Sequence, residues 1–197
     1  MTNLSKKSFL SDPQNIIAIG VTFISLCALI VSAIQTKVLI EERELMREYS
    51  RASVWPHIEI GQDKSQNKND GSINLLHFTL RNSGVGPAII TDVKVSYRDS
   101  IAHNWWHLFK IMGIPDSIEQ YIGNVHFNGK VIPIGENITI LNLDNNLPLA
   151  NEFFKRQKGL SMQVYFKSIY GEQWKWDKGK ITKLDKFEGL PKEDQFW

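Results

Sequence analysis

The chain has 197 residues, with 23 Lys and Arg against 21 Asp and Glu, and a formal net charge of +2. The two signs are interspersed, and no basic run or basic patch with interleaved aromatics stands out, so the composition gives no support to nucleic-acid binding. The single cysteine, Cys27, excludes a disulfide framework and cysteine-ligated metal sites in the remainder of the chain, without fixing the compartment.

Residues 1–14 read as a polar N-terminal tail. Pro13 is suited to the first turn of a helix, where its missing N–H is not needed. Ile16 to Ile34 is then nineteen residues without a charged side chain. At about 1.5 Å per residue it covers roughly 28 Å, close to the hydrocarbon thickness of a bilayer. Its polar side chains are Thr22, Ser25, Cys27 and Ser32, and small hydroxyls can bond back to their own helix carbonyls. A buried core helix is usually shorter and carries a polar stripe. A cleaved signal peptide is the sharper competitor, with Lys6 and Lys7 as the basic region and Val31-Ser32-Ala33 as the cleavage site. The apolar stretch exceeds the ~7–15 residues of a signal core, and the helical pattern runs on past Ala33, so a transmembrane helix over 15–36 is the preferred reading. Ala18, Thr22, Ser25 and Ser32 lie on one face of it, the arrangement that lets membrane helices pair closely.

Residues 37–52 predict a charged helical stalk continuous with the span. Glu44 and Arg47, and Glu48 and Arg51, sit three apart, each pair worth about 0.2–0.5 kcal/mol. The stalk reads as solvated, and one helix is expected from about Gln14 to Tyr49. Lys37, Arg43, Arg47 and Arg51 outnumber Lys6 and Lys7, which predicts the following domain on the cytoplasmic side of the membrane.

Pro56 ends the helix, and from residue 53 onward the pattern has period two. Val54, Ile58 and Ile60 share a face, then Leu76, Phe78 and Leu80, then Val93, Val95 and Tyr97, as in half-buried antiparallel strands. Residues 62–72 read as a polar loop with a turn at Asp70-Gly71. Asn82 to Ala88 forms a turn: Gly84 and Gly86 permit positive φ, Pro87 holds Gly86 extended, and Asn82 can close a side-chain turn. A phosphate loop is excluded, because neither a Lys-Ser/Thr pair nor a helix follows.

Ile101 to Met112 has helical spacing and is rich in aromatics. Trp105, Trp106 and Phe109 fit either a core-capping helix or a helix lying at a membrane interface. His103 and His107 are four apart and could share a metal, but no acid or cysteine beside them completes a ligand set. Residues 113–130 are loop-like. Residues 130–141 read as strand, turn at Pro133 to Gly135, and strand with Ile138 and Ile140 inward. Asn137-Ile138-Thr139 forms a glycosylation sequon inside that strand. Leu147 to Arg156 predicts a short helix burying Leu149, Phe153 and Phe154. Leu160, Met162, Val164 and Phe166 alternate in a strand, and Tyr170-Gly171 turns it back to a strand carrying Trp174 and Trp176 on one face. Phe196 and Trp197 are expected to dock on the domain.

RASVWP, RNSGVGPAII, KVIPIGE and SIYGEQW, within residues 51–176, together resemble uncharacterised bacterial single-pass membrane-anchored proteins with an NxGxGPA-type immunoglobulin-like β-sandwich domain. The resemblance implies that fold and a bacterial origin, and it implies no activity. Strand alternation and turn spacing give a mainly β antiparallel sandwich over 53–197 independently, with one or two short helices. No Ser/His/Asp, Cys/His or HExxH constellation and no cofactor motif is present in local form. Three functions remain: a membrane-anchored binding or assembly module with a protein partner, a membrane-active effector, and an enzyme with a non-local site.

Overall fold

A computed structural model describes residues 13–118 and 127–197. The polar tail up to residue 12, with Lys6 and Lys7, lies outside the described residues, as does His126. The chain divides between Ser50 and Arg51 into two units.

The first unit is helical. α1 spans Pro13–Ser53, 41 residues, and none of its side chains is buried. It is long and apolar enough to cross a membrane. Its hydroxyls turn back on the helix: Thr22 Oγ1 donates to the Ala18 carbonyl at 2.8 Å, Ser25 Oγ to Val21 at 2.8 Å and Thr36 Oγ1 to Ser32 at 2.9 Å. Those groups are therefore satisfied without water. The helix stops before Pro56, which disfavours helical geometry at Trp55. Residues 38–53 are not polar all round. At 3.6 residues per turn, Val38, Leu39, Leu45, Met46 and Tyr49 fall on one exposed arc, interrupted by Glu42, while Arg43, Arg47 and Arg51 fall opposite together with the exposed Ile40.

The second unit is mainly β, with two antiparallel sheets. The smaller has the order β1-β2-β6, from β1 (Ile58–Gln66), β2 (Ile73–Asn82) and β6 (Asn137–Asn142). The larger has the order β4-β3-β7-β8-β9, with β5 also on β3. Its strands are β3 (Ala88–Tyr97), β4 (Ser100–Ala102), β5 (Val131–Ile132), β7 (Leu160–Lys167), β8 (Gln173–Asp177) and β9 (Lys180–Leu184). Helices α2 (Trp105–Ile111) and α3 (Leu147–Arg156) complete the unit.

One apolar core joins both sheets and both helices. It contains Leu76 and Leu80 of β2, Ile138 and Ile140 of β6, Ile90, Val93 and Val95 of β3, and Val164 and Phe166 of β7. Phe153 of α3 meets Phe78 edge-on at 5.8 Å and Phe109 of α2 at 6.1 Å. Leu149 and Phe153 are buried as expected, while Phe154 is half-buried.

Three expectations are corrected, and one strand is added. β1 continues to Gln66, so residues 62–66 are strand and not loop. As an edge strand it is held by backbone pairing to β2, and its polar side chains meet water on both faces. The remaining loop closes with Asn67 N–H donating to the Ser72 carbonyl at 2.8 Å, and Gly71 takes φ +71°. Val54 is a turn residue and shares no strand face with Ile58. Residues 100–102 are strand, because they return along β3 after a tight turn at Arg98 (φ 54°). Helix α2 starts only after Asn104, whose Oδ1 caps it by accepting from His107 N–H at 2.9 Å. Finally, β9 pairs with β8 across Lys178-Gly179, both at positive φ (49° and 83°), the two-residue hairpin geometry.

A bulge between Ile90 and Asp92 lets both Ile90 and Val93 point inward, although a strict period of two would separate them. Asp92 is thereby turned outward, beneath residues 185–197, which cross the outer face of the larger sheet. Phe187 stacks on Tyr165 of β7 (4.4 Å, 7°), and Asp194 pairs with Lys94 of β3 at 2.7 Å. Phe196 N–H then donates to the Val93 carbonyl at 2.8 Å, and its ring enters the core edge-on to Trp105 at 4.9 Å. Of the two aromatics expected to dock, Phe196 does so and Trp197 stays exposed.

Candidate functional site

The turn at Asn82 to Pro87 holds the most connected polar side chain of the domain. Asn82 is fully buried. Its Oδ1 accepts from His57 N–H at 3.2 Å and Gly84 N–H at 3.1 Å, and its Nδ2 donates to the carbonyls of Gly86 (2.8 Å) and Ile132 (3.0 Å). All four hydrogen-bonding positions of the amide are filled. Ser83 N–H donates to the His57 carbonyl and Val85 N–H to the Trp55 carbonyl, at 2.8 and 2.9 Å. The turn therefore grips residues 54–57, the chain that follows α1.

The two glycines serve a purpose other than the one expected. Neither Gly84 nor Gly86 has positive φ. A Cβ on Gly84 would collide with the backbone of Trp55 to His57, and one on Gly86 with Val54. Space for a crossing backbone, and not left-handed geometry, requires glycine here. Pro87 follows with β3 starting at Ala88. Asn82, Gly84 and Gly86 thus hold this turn against residues 54–57.

His103 and His107 come together, their rings stacked at 5.0 Å, with His103 N–H directed at His107 Nδ1 at 3.4 Å. Among the described residues no group of three or more His, Cys, Asp and Glu side chains is placed to hold a metal ion. His77 lies between two carboxylates, Nε2 at 3.2 Å from Asp63 and Nδ1 at 3.1 Å from Asp144, while Asp144 Oδ1 accepts from Leu76 N–H at 2.8 Å. This arrangement ties β1, β2 and the end of β6 together on the surface. His57 sits at the start of β1, away from these groups along the strands, so the described histidines do not converge.

Trp105, Trp106 and Phe109 do not share an exposed face. Trp105 and Phe109 are 5% and 0% exposed and belong to the core, whereas Trp106 is 50% exposed. Trp105 packs against Phe196, so the core-capping reading describes Trp105 and Phe109, and the interfacial alternative keeps only Trp106.

A different apolar feature emerges from the topology. Ile58 pairs with Asn82, Arg81 with Asn137, and Ile89 with both Lys167 and Val131. Residues 54–57 and the β2–β3, β5–β6 and β7–β8 connections therefore lie at one end of the sandwich. That end exposes Trp55, Val85, Val131, Ile134, Ile169 and Tyr170. The opposite end carries residues 67–72, Arg98-Asp99, Gln157 to Gly159 and Lys178-Gly179, and of its connections only Leu147 adds an exposed large apolar side chain among the described residues. Sequence reasoning passed over this asymmetry, yet a signal exists. Val85-Gly86, Ile134-Gly135 and Tyr170-Gly171 each place an apolar residue directly before a turn glycine, where polar residues are usual.

On the outer face of the larger sheet, burial under residues 185–197 pushes the Asp92 carboxyl above the usual carboxylate range. Burial, with Asp177, Asp92 and Asp194 nearby, likewise raises the Tyr165 phenol. Two hydrogen bonds between the Gln173 side chain and the Phe187 backbone, at 2.9 and 3.1 Å, hold the overlying segment.

Fold and site together define a mainly β, sandwich-like domain that follows a long apolar helix. Comparison with protein-family models and with curated proteins gives no match for this chain.

Proposed function

We propose that this protein is a single-pass membrane protein whose sandwich domain, read as immunoglobulin-like, acts as a binding or assembly module on the cytoplasmic side of a bacterial inner membrane. The observation that carries the reading is α1, which is apolar over its first half and has no buried side chain. Such a helix is costly in water and stable in lipid. The polar centres of the domain support a binding role over a catalytic one. Asn82, Asp144 and Asn104 are engaged in holding loops and helix ends. The effector reading draws less support, since Trp105 and Phe109 belong to the core.

Protein contacts would be made by the domain or by pairing of spans through Ala18, Thr22, Ser25 and Ser32. Expression with a reporter fused after residue 197, followed by alkaline extraction, tests anchoring and sidedness together. The expected result is a chain retained in the membrane pellet with a reporter active in the cytoplasm. Replacing Leu26 and Ile30 by Lys should release it. Release of the unmodified chain would overturn the reading.

A further inference from the structure

We propose that the outer edge of β1 takes an extended segment of a partner protein as an added strand, one with alternate apolar side chains and a carboxylate beside Lys64; the inference rests on the binding reading above. The available backbone groups follow from the register. Ser83 N–H donates to the His57 carbonyl and Ile58 lies opposite Asn82, so Glu59, Gly61 and Asp63 turn their N–H and C=O groups toward β2. Ile60, Gln62 and Lys64 turn theirs the other way, and β1 is the outer strand of its sheet. Among the described residues no hydrogen bond reaches these outward groups.

Beneath this edge the larger sheet reaches further than the smaller. β5 lies on the side of β3 away from β7, and only residues 133–136 join it to β6. That short link sets β6 over the β5 side and β1 toward β7. Gln62 Nε2 accordingly donates to Gln157 Oε1 at 2.9 Å, just before β7 begins. β8 and β9 therefore project past β1, and their inward Trp176 and Ile181 are half-buried, as is Ile60. A single strand added to β1 would cover that ledge.

The charges select the occupant. Lys64 holds its Nζ 4.8 Å from the centre of the Phe154 ring, and Lys178 and Lys180 lie at the same end of the domain. Among the described residues none of the three has a carboxylate partner. On the other face of β1, Glu59 and Asp63 already meet His57 and His77. An antiparallel segment is thus matched when an acidic residue lies opposite Lys64 and apolar residues lie opposite Gln62 and Ile60. A second copy of β1 fits poorly. A two-fold axis at Gln62 sets Lys64 against Ile60 of the other copy and brings two β8–β9 hairpins into one layer.

The test uses the full chain in detergent micelles, with the synthetic peptide acetyl-Ser-Asp-Thr-Val-Thr-Ile-Thr-amide as probe. Saturating peptide should slow amide hydrogen exchange at Ile60, Gln62 and Lys64 roughly tenfold or more and leave the already paired Gly61 and Asp63 unchanged. Methylation of the valine nitrogen, which faces β1, should abolish binding, and methylation of the next threonine nitrogen should not. Gln62→Pro gives up only an outward N–H, so it should spare the fold and weaken binding roughly tenfold or more, and Lys64→Glu should weaken it about three- to tenfold. The proposal is overturned if the three amides exchange as before at millimolar peptide, or if they are already protected in the protein alone. It is equally overturned if cysteines at 62, in a Cys27→Ser background, crosslink between copies. Photo-crosslinkers at 62 and 134 in cells separate the two failures: protein adducts at 134 alone leave a binding module without use of the β1 edge, and no adduct at either position removes the binding reading as well.

Discussion

Asn82 shows how much one side chain can organise. Its removal leaves two buried N–H groups and two buried carbonyls without partners, each of which costs free energy when unpaired. Asn82→Ala should lower unfolding stability by about 3 kcal/mol or more in urea titrations followed by tryptophan fluorescence. Asn82→Asp should also destabilise, because the carboxylate cannot donate to Gly86 and Ile132. Gly86→Ala should cost about 1–3 kcal/mol through displacement of the Val54 backbone, and more if that backbone cannot move. Asp92 gives a prediction of opposite sign. Its carboxyl titrates higher in the folded protein than in the unfolded one, so the folded state binds more protons between the two values. Its stabilising contribution is fully present below the usual carboxylate range and is lost as pH rises through the raised value. Asp92→Asn should therefore stabilise the protein at neutral pH, with the gain over the wild type shrinking as pH falls. The turn at 82–88 was legible as a turn because Asn, two Gly and Pro announce it. The reason for its glycines was not, since a crossing backbone from residues 54–57 is invisible in a local window.

Elements were legible where side-chain period and backbone pairing agree. β2 and β7 satisfy both, and in α3 the helical period marked Leu149 and Phe153 as inward, although Phe154 is only half-buried. β1 was cut short because its pairing partner, and not its own side chains, sustains residues 62–66 as strand. β9 was missed because Lys-Ile-Thr-Lys-Leu is short and mostly exposed, although Lys178-Gly179 marks its hairpin. The start of α2 was placed too early because Ile101 fits a helical period as well as a strand edge. In α1, the small-residue face and Cys27 fall on opposite arcs at 3.6 residues per turn. If spans pair through that face, Ser25→Cys in a Cys27→Ser background should crosslink under oxidation in membranes, while native Cys27 should not. Ser25→Leu should reduce the paired fraction. Segment 185–197 is the other element with a clear test. Phe196→Ala should cost about 3–5 kcal/mol, since an almost fully buried ring is lost from beside Trp105 and Phe127. Trp197→Ala, at an exposed position, should change stability by no more than about 0.5 kcal/mol.

On the scale of the whole molecule, the position of Phe196 has a consequence in time. The core begins at Ile58 and is not closed until residue 196 is in place, so the mixed topology gives no early subset of strands that completes it. During synthesis, at about 5–20 residues per second, α1 emerges on the order of ten seconds before Phe196 does. Commitment of the helix to its environment therefore precedes completion of the domain. The unclosed sheet, with the β3 edge at Val93 still open, is the species that would be exposed to chaperones and to neighbouring nascent chains in that interval.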